Sequence, residues 1–503
     1  MMENQLFDVI VVGGGAVGLF LACECRLAGL SVLVVERFAA TAPRSETRAP
    51  LLHGRTCEIM AMRGILNRFL EDGEKNDWWH FGFLETRINY KAFQDETKQN
   101  YVLMLPQCIT EDVIQKRAQE LGVHMVFGVT VQSLEQSPTS VTIHGILTGN
   151  RAGLEEPFSA VGKYLVGTDG TRSIVRASAG IDFPGSPATH TMISAEVKVG
   201  IELPNPFMVH SRKGFALSLI MKVRSGRSRV VAFTSDQASK PASDTVMLEQ
   251  LAEALMEVTG LDFELSDPSY IARFSNEARL ASHYRKGRVF LAGDAAHQHL
   301  PASGQGLNLG LQDSLNLSWK LAAVLKGSAP ESLLDTYQQE RMPVAEGVIA
   351  NTTAQSLLLF ADTEPQWKIR QTMNKVLDIP EANRAIGFEV SAFEVSYPNP
   401  LDMISLEGAG WESLPECLSG TRALNVTLRV RGGEERELFD YFHEAKWVQL
   451  RFPEAFSSSP PARGSQTVLV DVVDIVAGKA DMYRCGFAAL LIRPDGYLAF
   501  GKK

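Results

Sequence analysis

Leu6-Phe-Asp-Val-Ile-Val-Val-Gly-Gly-Gly-Ala-Val-Gly18 is the stretch on which the fold reading turns. Leu6–Val12 is apolar and β-branched, Ala16–Ala28 suits a helix, and Ser31–Glu36 is again strand-like. Gly13, Gly15 and Gly18 stand between the first strand and the helix as G-x-G-x-x-G, with Ala16 and Val17 inside the motif. The order predicts a βαβ unit that binds a dinucleotide: the first glycine permits the tight turn, the second admits a pyrophosphate, and the third lets helix and sheet approach. The diphosphate then meets unpaired N–H groups at the positive helix end. Glu36 closes the second strand, where a carboxylate accepts from ribose hydroxyls and repels a 2′-phosphate, so FAD or NAD fits and NADP does not. The competing reading is a glycine turn that only packs a helix on a sheet.

A distant segment chooses between the two nucleotides. Arg288-Val-Phe-Leu-Ala-Gly-Asp294 reads as a buried strand ending in an ionisable acceptor, followed by Pro301, Gly304, Gly306, Leu307 and Asn308 ahead of a long helix. Asp294 suits ribityl hydroxyls, with a helix cap as its alternative. Gly304 and Gly306 let a helix N-terminus lie against a flat ring. An NAD site needs neither feature, so the expected cofactor is FAD.

These two motifs, with Gly167-Thr-Asp-Gly-Thr-Arg-Ser-Ile-Val-Arg176 between them, resemble the three fingerprints of the para-hydroxybenzoate hydroxylase family of class A FAD-dependent monooxygenases. The Arg48–Gly64 stretch and Leu491-Ile-Arg-Pro-Asp-Gly-Tyr-Leu-Ala499 resemble the subgroup of aromatic polyketide hydroxylases, rifampicin monooxygenases and phenol hydroxylases, which carries a C-terminal thioredoxin-like domain. The resemblance implies tightly bound, non-covalent FAD, NADH or NADPH as transient reductant, and O2. One oxygen atom would pass through a flavin C4a-hydroperoxide to a phenolic, polycyclic or polyketide-like ring. It also implies roles for Pro301 beside the flavin, Leu307 and Asn308 at its pyrimidine edge through their backbone, and Gln107 facing the ribityl chain. Arg48 would lie near the flavin and Arg37 over adenine. Asp169 and Arg176 would serve FAD and NAD(P)H, their alternative being a structural salt bridge. Ser303 departs from the family's usual glycine, and the C-terminal region lacks C-x-x-C, so thiol–disulfide exchange is not expected there.

The expected fold is mixed α/β. Residues 1–182 and 281–394 form a Rossmann-like FAD-binding domain with a helical extension, 183–280 an inserted sheet for substrate, and 395–503 the thioredoxin-like domain. Strands are expected near 193–199, 215–223 and 229–234, and near 446–450, 467–470 and 487–492, with a loop at Ser457–Pro461. Arg55–Phe69 has helical spacing, and Thr110 reads as the N-cap of a helix over 111–121. Phe207, Phe215 and Phe233 are candidates for lining the substrate pocket, against core packing as the ordinary role of a strand aromatic.

Composition narrows the classes. With 45% hydrophobic and 21% charged residues, 503 residues suit a globular protein of two or three domains rather than a disordered or membrane chain. A net charge of −9 without a basic cluster argues against nucleic acid and anionic lipid. The apolar start is broken by glycines and lacks a basic lead-in, so neither a signal peptide nor a membrane span is expected. Six sparse cysteines suggest reduced thiols in the cytoplasm, and no Cys/His spacing suits a metal. His297 and His299 read as structural, no Ser/His/Asp arrangement is evident, and no catalytic base is identifiable. Neither substrate nor oligomeric state is legible. A small-phenol hydroxylase, a flavin dehydrogenase or reductase, and a non-catalytic FAD-binding protein remain as other readings.

Overall fold

The structure, a computed structural model, describes residues 5–40, 49–148, 155–220, 226–398, 410–455, 462, 466–483 and 486–503. Strand β1 (Leu6–Val12), helix α1 (Ala16–Leu27) and strand β2 (Val32–Glu36) form the expected βαβ unit. Val9, Ile10 and Val11 are wholly buried, as a parallel strand covered on both faces requires. Helix α2 (Gln107–Glu120) leads to β3 (His124–Phe127), and β4 (Glu155–Gly167) returns beside β1. The parallel core then reads: strand Val289–Leu291, β4, β1, β2, β3. In its register Val12 stands opposite Gly167, and Gly167 opposite Leu291. All three fingerprints therefore leave the sheet along one line, at the C-terminal ends of adjacent strands, where open α/β sheets bind their ligands.

Two local expectations fail. Thr110 is not an N-cap: α2 already starts at Gln107 behind Pro106, whose ring fixes φ at −54° for helix entry, and Thr110 is buried within the first turn. The helical spacing over Arg55–Phe69 divides into Gly54–Met62 and Leu66–Leu70, because the chain turns through Gly64 at φ 68°.

A five-stranded antiparallel sheet follows, made of β5 (Thr191–Lys198), β6 (Phe207–Ser211), β7 (Gly214–Ile220), β8 (Ser228–Thr234) and, after helix α3 (Leu248–Thr259), β9 (Ser266–Ser275). Its order is β6-β7-β8-β5-β9. Side chains alternate between faces. Ile193, Ala195, Ala216, Val230 and Ala232 pack on Leu251 and Leu255 of α3, while Met192, Phe215, Val231 and Phe233 face the other way. The lobe's stalk pairs Gly185–Ser186 with Ala278–Leu280, which pairs in turn with His297–Gln298.

Helices α4 (Gln305–Leu325) and α5 (Asp335–Leu359) complete the core. The C-terminal region holds a seven-stranded sheet around β10 (Trp447–Arg451), β11 (Thr467–Ala477), β12 (Ala489–Ile492) and β13 (Leu498–Lys502), with β10 and β11 parallel. The loop expected at Ser457–Pro461 lies outside the described residues. The mixed α/β fold is as the sequence implied. Among the described residues no helix is long and apolar enough to cross a membrane.

Candidate flavin site

Gly13 sits at φ 111°, and a Cβ there would stand 2.5 Å from the Thr168 carbonyl; one on Gly18 would stand 2.0 Å from the Gly13 carbonyl. Neither position admits a side chain. Around Gly15 the space is open, its nearest neighbour being Glu111 Oε1 at 3.9 Å, and no side chain caps α1. The Gly14 N–H donates to Glu36 Oε2 at 2.6 Å and the Phe38 N–H to Oε1 at 3.0 Å. Each carboxylate oxygen keeps a further lone pair, and Glu36 is only half-buried, so both remain accessible to ribose hydroxyls. Gln107 reaches the same corner, its Nε2 donating to Glu111 Oε1 at 2.7 Å. Glu111 is the acid that sequence reading missed; nothing in its surroundings along the chain marks it.

Ala16 is buried, while Val17 lies beneath the third fingerprint, 3.2 Å from where a Gly293 Cβ would be and 2.7 Å from that of Gly310. The turn Gly293–Ala295 carries Asp294 outward: its carboxylate is exposed and makes no hydrogen bond among the described residues. Beneath it, Asp313 accepts from the Gly293 N–H at 3.1 Å, from His297 Nε2 at 2.7 Å and from Arg341 Nε at 2.8 Å. Burial raises the Asp313 carboxyl, but Arg341 and His297 overcome this and hold it below the usual range. His297 is thus structural. His299 Nδ1 donates to the Leu300 carbonyl at 2.8 Å, and burial lowers the ring to about 4.

Pro301 is exposed at the head of a short turn in which Ser303 takes a left-handed conformation, φ 56°. That is why glycine suits the position. Ser303 is instead held by its side chain, whose Oγ lies 2.8 Å from Gln355 Oε1 and 3.0 Å from the His80 carbonyl. Gly304, at φ 73°, caps α4 without a side-chain bond, leaving the N–H groups around Gln305, Gly306 and Leu307 directed outward. Asn308 corrects an expectation: its side chain does matter. Oδ1 accepts from the His53 N–H at 2.8 Å, and Nδ2 donates to the Leu51 carbonyl at 3.1 Å and the Gly304 carbonyl at 2.8 Å.

Leu300 and Ala302, on either side of Pro301, join an apolar cluster with Phe83, Met192, Phe215, Val231, Phe233, Leu359 and Phe360. Phe215 and Phe233 stack at 5.5 Å, Phe233 meets Phe360 edge-on at 4.7 Å, and Phe83 meets Phe215 edge-on at 5.1 Å. Phe207 does not belong here. It points to the opposite face of the sheet and packs edge-on against Phe263 at 5.5 Å. Phe83 and Phe360, outside any motif, were invisible in the sequence. His80, His190 and His210 contact these rings, and burial lowers all three, His210 to about 4, so they are neutral at pH 7.

The second fingerprint contributes architecture. Asp169 accepts from Ser173 Oγ at 2.5 Å and from the Val175 N–H at 3.1 Å, while Ser173 caps the helix Ile174–Ser178 by accepting from the Arg176 N–H at 2.9 Å. Arg176 makes no salt bridge to it. Instead its guanidinium donates to the Ala295 and Thr171 carbonyls, each at 2.8 Å, tying the second fingerprint to the third. Arg37 is exposed and stacks on Phe38 at 4.7 Å. Arg48 lies outside the described residues.

Two uncapped helix ends, an acid beside the first and an unpaired carboxylate beside the second form a donor and acceptor set that fits FAD. Residues 7–352 match the family described as FAD binding domain, and residues 416–503 the one described as aromatic-ring hydroxylase, C-terminal. The chain belongs to the FAD-dependent aromatic-ring monooxygenases. This monooxygenase is 38% identical over 509 residues to the 12-dehydrotetracycline 5-monooxygenase/anhydrotetracycline 6-monooxygenase of Streptomyces rimosus, covering 98% of this chain and 95% of the relative. It is 36% identical over 498 residues to a rifampicin monooxygenase of Streptomyces venezuelae, with 98% and 95% covered. The solved OxyS anhydrotetracycline hydroxylase from Streptomyces rimosus superposes with a TM-score of 0.84 at 36% identity, over 99% of this chain and 96% of that one. FAD is the monooxygenase's cofactor, as its sequence implied.

Proposed function

We propose that this monooxygenase hydroxylates a phenolic, polycyclic or polyketide-like aromatic compound, taking electrons from NADH or NADPH and oxygen from O2, in the cytoplasm. The observation that carries the reading is the apolar wall of Phe83, Phe215, Phe233 and Phe360, which Leu300 and Ala302 join on either side of Pro301. Relatives named for tetracycline precursors and rifampicin support a large, fused ring system. When bound, FAD supplies hydride acceptance and oxygen activation.

The chain's own residues supply binding and exclusion of water. The open N–H groups at the start of α1 suit the pyrophosphate, Glu36 the ribose, and Asp294 the ribityl hydroxyls. The N-terminus of α4 at Gly306–Leu307, with its positive field, suits the electron-rich pyrimidine edge. Phenyl rings on the lobe would keep the reacting ring dry, with neutral histidines beside them to contact phenolic oxygens. We assign residues 1–182 and 281–394 to FAD, 183–280 to covering the substrate and 395–503 to a thioredoxin-like unit, a division that the separate sheets support.

The test is a screen of anhydrotetracycline-like, ansamycin and simple phenolic compounds against the FAD-loaded enzyme. A true substrate accelerates NAD(P)H oxidation and acquires 18O from 18O2. Turnover that releases only hydrogen peroxide with every compound would overturn the hydroxylase assignment.

A further inference from the structure

The C-terminal region meets the flavin-binding core at several places, among them Arg422 on Glu58 at 2.7 Å and Trp447 edge-on to Trp319 at 5.6 Å, and also through the turn Arg493-Pro-Asp-Gly-Tyr497. Arg493 is fully buried and grips Glu340 of α5 with both terminal nitrogens, at 3.1 and 2.8 Å. The same guanidinium holds Asp495 at 3.0 and 2.6 Å, and Asp495 Oδ2 also accepts from Trp319 Nε1 of α4 at 3.0 Å. Arg55 and Arg63, from the other side, donate to the carbonyls of Asp495 and Pro494 at 3.1 and 2.9 Å.

Glu340 is followed in the chain by Arg341, and Arg341 holds Asp313 at 2.8 Å. Asp313 in turn accepts from the backbone of Gly293, the residue before Asp294. Lys320 Nζ completes the set, 2.9 Å from Glu340. Three acids, Asp313, Glu340 and Asp495, thus balance three bases, Lys320, Arg341 and Arg493, all of them buried. Charges in a dry interior are retained at a cost in desolvation that apolar packing would avoid, and one use of them is to fix geometry. Here two sets of ion pairs, joined through the adjacent residues Glu340 and Arg341, end at the hydrogen bond from Gly293 in the turn that carries Asp294.

We propose that the Arg493–Tyr497 turn is a positioning element for the flavin site, acting through Glu340, Arg341 and Asp313 on the Gly293–Ala295 turn. The C-terminal region then serves the cofactor without touching it. The proposal rests on the assignment of Asp294 to FAD.

The test uses the full-length protein, freed of flavin and retitrated. Arg493→Lys keeps one charge but loses the fork, and Asp495→Asn, nearly isosteric, serves if Arg493→Lys does not fold. FAD affinity by fluorescence quenching and the visible circular dichroism of bound flavin are read beside the melting temperature of the apoprotein. The expected result is FAD binding weakened about two- to thirtyfold with an altered flavin dichroism band. In an Asp294→Ala background, Arg493→Lys should weaken binding no further. A lower melting temperature with unchanged affinity and dichroism would overturn the proposal, as would full additivity with Asp294→Ala. If Asp294→Ala alone leaves FAD binding intact, the site assignment itself falls. If it weakens binding while both C-terminal variants do not, only the positioning role falls.

Discussion

Ser314 Oγ donates a 2.9 Å hydrogen bond to the Val17 carbonyl, joining helices that begin 289 residues apart into one cofactor floor. Beside that bond the Val17 side chain lies where any side chain on Gly310 would have to go. On the site proposed above, direct contact of α1 with α4 would hold the adenosine and isoalloxazine ends at a fixed spacing.

Asp294→Ala should weaken FAD binding about 10- to 100-fold, the loss expected when hydroxyls lose an ionised acceptor. Because Asp294 has no protein partner among the described residues, the apoprotein should melt as before. Fluorescence titration and a thermal scan of the apoprotein check both halves.

Phe207 and Phe233 should separate cleanly. Phe233→Leu alters the wall beside Pro301, so KM for the aromatic substrate should rise and more NAD(P)H should be lost to peroxide. Phe207→Leu should lower stability by about 1 kcal/mol and leave coupling of NADPH oxidation to product unchanged. Peroxide yield measured per NADPH consumed distinguishes them.

At Ser303 two effects oppose each other. Ser303→Ala keeps the left-handed strain and removes the one donor shared between the His80 carbonyl and Gln355 Oε1, which keeps the Gly82 N–H, a loss of about 1–3 kcal/mol. Ser303→Gly loses the same hydroxyl but relieves roughly 1 kcal/mol of backbone strain. Urea unfolding of the apoprotein should rank wild type above Ser303→Gly and Ser303→Ala lowest.

Burial raises the Glu340 carboxyl, yet Arg493 and Lys320 hold it at about 2, against an ordinary 4.5. The folded value is the lower one, so its stabilisation is complete above pH 4.5 and disappears as pH falls through about 2. The gap corresponds to roughly 3 kcal/mol. Denaturant midpoints should hold level from pH 6 to about pH 5 and then fall as pH drops through about 4.5 toward 3, with FAD release following.

Much of the cofactor floor was legible because glycine and strand patterns are local. Gly13 and Gly18 are dictated by close backbone approach and Gly304 by its left-handed φ of 73°, and Leu6–Glu36 carries its period on its face. Phe83, Phe360 and Glu111 were not legible, since their roles come from elements far away in the chain. Phe207 was misjudged because one residue of register reverses the face of a strand, and β6, half-buried along its length, gave no alternation from which to read it. Asn308 was undervalued for a related reason: two of its three partners, the His53 N–H and the Leu51 carbonyl, lie in a segment on which its own neighbourhood is silent.

The lobe's two connecting strands pair with each other and then with His297–Gln298, three residues beyond Asp294. A lobe joined to the core by such a stem is a cassette: a sister enzyme's sheet could be grafted at two joints, provided its inner face still fits Leu300, Ala302 and Phe360. Should the lobe cover substrate and Asp294 hold flavin as proposed, rocking of that stem would reach the segment after Asp294 first, and substrate occupancy and flavin posture would share a lever.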